Sequence, residues 1–127
     1  MGWYFSSGSK QGLIRDLTKE SRFSTSDGIE VIRQTLDYSL RGSVLYSVKT
    51  TTEIESGKEL DRWIQIDLIK YDRSDKMWGY KPMEESMGPF YYDCPLKFLK
   101  MVPVVNQEWR NEVVRSTSKR RKTNVGK

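Results

Sequence analysis

The chain has 127 residues and a mass of 14.9 kDa, enough for one domain with one hydrophobic core and too short for two. Histidine is absent, which removes Ser-His-Asp and Cys-His catalysis, histidine metal sites and imidazole acid–base chemistry together. A single Cys leaves no intrachain disulfide and no cysteine metal cage, so a reducing compartment is the natural setting.

Trp3-Tyr4-Phe5 is a short aromatic strand candidate running into the polar break Ser6-Ser7-Gly8-Ser9. A helical pattern follows, with Leu13, Ile14 and Leu17 on one face and Ser9 as the N-cap. Ser21 to Gly28 reads as a Ser-rich loop. Residues Ile29–Leu40 fit either period: Ile29, Ile32, Leu36 and Leu40 suit a helix, whereas Ile32, Leu36, Tyr38 and Leu40 line one face of a strand. The strand is preferred, because Arg41-Gly42-Ser43 then forms a tight hairpin into Ser43–Thr52, whose Val44, Tyr46, Val48 and Thr50 alternate as β. Glu55–Glu59 is a turn, Arg62–Tyr71 alternates again, and Asp72–Asp75 turns into a short strand around Met77–Tyr80.

Every proline lies between 82 and 103, so the chain changes character there. Cys94-Pro95 reads as a helix entrance for Leu96, Phe98, Leu99 and Val102, since Pro is tolerated at the first helical position. Asn106 caps a last helix carrying Trp109, Val113 and Val114. The expected fold is therefore α+β: an antiparallel sheet of about four strands packed by an N-terminal helix and one or two C-terminal helices. Residues 1–115 would form the domain, and 116–127 a disordered basic tail.

Charge is segregated. Residues 107–127 hold seven basic side chains against two acidic ones, while residues 1–106 hold 15 of each, so the formal net charge of +5 belongs to the C-terminal end. Arg115, Lys119, Arg120, Arg121 and Lys122 are the candidate phosphate contacts, of the kind that fades with salt. A solubilising terminus is the bland alternative.

The segment Trp78 to Pro95 is too rich in aromatics, Pro and Gly for one regular element. Trp78, Tyr80, Lys81, Glu84, Glu85, Ser86, Tyr91 and Tyr92 make it a candidate partner or ligand surface, against the plainer reading that its aromatics plug one end of the core. With Met1-Gly2-Trp3, the run Trp78-Gly79-Tyr80-Lys81, then Met83, Glu85-Ser86-Met87-Gly88-Pro89, Tyr91-Tyr92, Cys94-Pro95 and Val102-Pro103 resemble a family of small bacteriophage and mobile-element proteins with no assigned activity. The likeness covers most of residues 1–110. It implies a bacterial host cytoplasm and a protein that binds a host machine, such as a defence nuclease complex. It implies no cofactor and no catalytic residue.

Other chemistry is thin. Cys94 at a helix entrance is a candidate thiolate, but Asp93 adjoins it and a buried structural thiol is the simpler reading. Glu84, Glu85, Asp93 and Asp67 lack the spacing of a known metal loop. Asp67 and Gln65, between Trp63 and Tyr71, form a polar strip that is a ligand face or the solvent side of the sheet. Ser7, Ser9 and Lys10 sit where backbone N–H groups hold anions, yet the phosphate-loop spacing is missing and a capped turn suffices. The expectation is a non-catalytic accessory protein without cofactor or metal, binding nucleic acid or a host nucleic-acid-handling complex. The rival is a small enzyme or anion-binding protein built on Ser6–Lys10 and the 78–95 segment.

Overall fold

A computed structural model describes residues 2–83 and 93–102. In chain order the elements are β1 (Tyr4–Ser7), α1 (Lys10–Thr18), β2 (Ser21–Ser24), β3 (Glu30–Arg41), β4 (Val44–Glu53), β5 (Glu59–Asp72), β6 (Met77–Met83) and α2 (Leu96–Met101). All strands pair antiparallel in one sheet, ordered β1-β6-β5-β4-β3-β2, which curls into a half-barrel. Five of them form a meander, and β1 closes onto β6.

This corrects the expected α+β class of about four strands. Strand accounts for 55% of the structure and helix for 17%, so the fold is mainly β with two small helices. Of the two short edges, β1 takes up the strand candidate Trp3-Tyr4-Phe5, shifted to Tyr4–Ser7, and β2 is the strand that the sequence does not predict. Ser21–Ser24 is exposed at every position, so it carries no buried alternation and has the composition of a loop, yet it pairs with Glu30–Arg33. The preferred strand over Ile29–Leu40 is β3, which begins one residue later at Glu30. The hairpin turns at Gly42, whose φ of 61° lies in the left-handed region that a tight two-residue connection requires. Strand β6 runs on through Pro82 to Met83; Pro82 lies past Tyr80, the last residue paired with β1, so there β6 is an edge that tolerates a missing N–H.

The two faces of the sheet bury different residues because side chains alternate. Tyr46, Val48, Ile64 and Ile66 pack with Cys94, Phe98, Leu99 and Val102, so α2 covers one face. Leu45 and Ile69 on the other face pack with Leu13, joined by Ile14, Leu17, Leu40, Trp78 and Tyr80, so α1 covers that one. Helix α1 starts as the spacing predicts: the Ser9 hydroxyl accepts from the Gly12 N–H at 3.0 Å. Its far end is held by Lys49, whose buried ammonium donates to the Leu17 carbonyl and to Thr35 Oγ1. Strand β3 outruns β2, and that free edge is blunted by a bulge between Thr35 and Asp37 and by Asp37 Oδ1, which accepts from the Tyr38 N–H and leaves Oδ2 to pair with Lys97.

The α1 face also buries polar groups. Trp63 Nε1 donates to Gln65 Oε1 at 3.2 Å, and the Gln65 amide in turn bonds Asp67, so three alternate residues of β5 form a relay. Burial raises the Asp67 pKa above its ordinary 3.8, against the lowering pull of Lys49 and Gln65. The folded carboxyl therefore holds its proton more tightly than the unfolded one. Its contribution to stability is fully present below pH 3.8 and is lost as pH rises through the raised folded value. Asp67→Asn, neutral throughout, is expected to gain on the natural protein as pH rises above 3.8 and through the raised folded value in urea unfolding curves. A gap that stays constant over that range would show that burial does not govern this carboxyl.

Candidate functional site: an aromatic and cationic surface along the β1 edge

The β1–β6–β5 end of the sheet concentrates rings and cations on both faces. On the α1 face Tyr4 lies opposite Tyr80, and Tyr71 opposite Trp78. The Tyr4 and Tyr80 rings are 5.4 Å apart and tilted, those of Tyr71 and Trp78 5.3 Å apart and tilted. Trp78 and Tyr80 are half-buried against α1, whereas Tyr4 and Tyr71 are 48% and 43% exposed. Lys10, the first residue of α1, holds its ammonium 5.6 Å from the Trp78 ring centroid. On the α2 face the row Phe5–Gly79–Lys70 crosses the same three strands. There the Lys70 ammonium stands 4.4 Å from the Trp3 ring and 5.7 Å from that of Phe5, which stack on each other.

Charge completes the picture. The described residues contain two ion pairs, Arg62–Glu59 and Lys97–Asp37, and neither Lys10 nor Lys70 takes part in one. Both ammonium groups rest on ring faces with no hydrogen bond or ion pair among the described residues, which suits a polyanion better than a neutral ligand. A third such station lies at the opposite edge, where the Arg33 guanidinium is 4.9 Å from the Phe23 ring and 5.1 Å from that of Trp63, also without a carboxylate partner among the described residues.

The structure brings together residues that the sequence assigns to separate sites. Lys10 of the anion turn lies over Trp78 of the 78–95 segment, and Trp78 packs with Tyr80 of that segment around Leu13 of α1. Ser7 and Ser9 serve the turn itself: Ser7 Oγ donates to the Ser9 carbonyl and accepts from the Ser9 N–H, while Ser9 Oγ caps α1. Lys81 is half-buried on β6, on the opposite face from Tyr80. Glu84, Glu85, Ser86, Tyr91 and Tyr92 lie outside the described residues, as do Arg115, Lys119, Arg120, Arg121, Lys122 and the helix expected after Asn106.

Cys94 is buried, and burial pushes its thiol up to about 12, so it stays protonated and unreactive at neutral pH. Among the described residues no three His, Cys, Asp or Glu side chains converge to hold a metal ion. None of their helices is long and apolar enough to cross a membrane. Sequence reasoning missed Tyr4 and Lys70. The signal for Lys70 is the alternation of β5, which sets it on the face opposite Tyr71; Tyr4 has none beyond its aromatic neighbours. Against known protein families, curated proteins and solved structures the chain has no match.

Proposed function

We propose that this protein is a non-catalytic accessory protein of a phage or mobile element that binds nucleic acid in a bacterial cytoplasm, alone or as part of a host nucleoprotein complex. The observation that carries the reading is the pair Lys10 and Lys70, each seated on an aromatic face at the β1 end without an acidic partner among the described residues. Interleaved rings and cations serve a ligand that combines planar bases with phosphates. The basic residues Arg115 and Lys119–Lys122 supply further phosphate contacts from the same chain. The phage setting rests on the resemblance carried by residues 78–95.

The test is fluorescence anisotropy of a labelled oligonucleotide over a range of salt. Binding is expected to weaken linearly in log–log form, and Lys10→Ala with Lys70→Ala to lower the slope by about one for each lysine. Deleting residues 116–127 is expected to lower it further. Affinity indifferent to salt and to these changes would defeat the reading.

A further inference from the structure

We infer that the β1-edge surface takes single-stranded rather than duplex nucleic acid, with unpaired bases stacked on Tyr71 and Tyr4; the inference rests on the nucleic-acid reading and narrows its substrate class. The argument starts from which ring faces remain open. Trp78 and Tyr80 are half-buried against Leu13 of α1, so their faces are partly used inside the protein. Tyr71 and Tyr4 flank them on the same face of the sheet, each with nearly half its surface free. From β5 to β1 they stand two strands and one side-chain repeat apart, roughly 12 Å at ordinary sheet spacings.

Lys10 lies over Trp78, the ring beside Tyr71, where a phosphate next to a base stacked on Tyr71 would pass. A duplex has its bases paired and stacked on one another, so it can offer this surface only its backbone, and the exposed tyrosines would then gain nothing. An unpaired strand uses rings and ammonium groups together, and every base has a face to offer. The absence of an acidic partner for Lys10 among the described residues gives the charge complementarity that a bare apolar patch lacks.

The experiment uses the full chain and a single strand of about 12 nucleotides, within the usual site sizes of such surfaces, carrying central 2-aminopurine, alongside the same sequence annealed to its complement. The single strand is expected to bind at least tenfold more tightly than the duplex, with 2-aminopurine emission quenched by stacking. Tyr71→Leu and Tyr4→Leu should each weaken single-strand binding by about tenfold and restore emission, while Tyr71→Phe keeps both affinity and quenching. Circular dichroism confirms that each variant is folded, as expected for exposed positions. Equal affinity for the two forms, or quenching that survives both Leu variants, would overturn the inference and leave nucleic-acid binding standing. Failure of both forms to bind would remove the broader reading as well.

Discussion

Phe98→Ala is expected to destabilise the protein by about 3–5 kcal/mol, enough to leave much of it unfolded at 37 °C if its stability lies near the lower end of the usual range of about 5–15 kcal/mol. Phe98 is wholly buried, and its cluster takes in Tyr46, Val48, Ile64 and Ile66 from the sheet and Cys94, Leu99 and Val102 beside it. Helix α2 spans Leu96–Met101, far shorter than an isolated helix needs in water, and Pro95 gives it no side-chain cap. Its existence depends on that packing, so the loss includes a cavity and the undocking of the helix. Urea unfolding gives the number, and Phe98→Leu, which keeps most of the volume, is the control at under about 2 kcal/mol. A loss of less than about 1 kcal/mol from the Ala variant would mean that α2 is not a structural part of this face.

How much of this architecture is legible in the residues follows from where its pairings are local. Strands β4 and β5 alternate over many residues and turn at Gly42 and around Gly57, so both can be read from the amino-acid pattern alone. Helix α1 is legible because Ser9, Leu13 and Leu17 make a cap and a stripe. Strand β2 is not, since Ser-Arg-Phe-Ser lies at an open edge and needs no apolar alternation. The assignment of two faces, each with its own helix, is hidden as well. Buried Ser47, Lys49, Thr51 and Asp67 look like a solvent side in sequence, yet they lie on the α1 face.

The candidate site divides along the same line. The neighbours Tyr71 and Trp78 belong to one hairpin, whose turn residues nearly fix their register. Tyr4 reaches Tyr80 only because the start of the chain pairs with a strand more than seventy residues later, and no local pattern announces such a pairing. The tyrosines on β1 and β5 are therefore visible as strand residues, while their common surface is not. The two lysines illustrate the point differently. Each occupies an ordinary strand-and-helix surface position by composition, and only the ring beneath it makes it distinctive.

Gly79→Ala is expected to cost up to about 3 kcal/mol and to release β1 from the sheet, taking the proposed nucleic-acid surface with it. A Cβ at Gly79 would lie 2.6 Å from Phe5 Cε1 and 2.8 Å from Cγ, and closer still to Cδ1. The obstacle is a flat ring on a paired strand, stacked on Trp3 and neighboured by the Lys70 ammonium, so it cannot turn aside without breaking those contacts. Either the ring leaves the row or β1 shifts, and in both cases Tyr4 moves relative to Tyr80. The clash is specific to this pair of residues, so removing the ring should relieve it: Phe5→Ala combined with Gly79→Ala is expected to cost distinctly less than the two single losses added together. Thermal unfolding of the four proteins measures the coupling, and oligonucleotide anisotropy below the transition reads the surface. Strict additivity, or a Gly79→Ala variant that binds and melts like the natural chain, would mean that the seating of Phe5 over Gly79 does not hold the β1 edge in place.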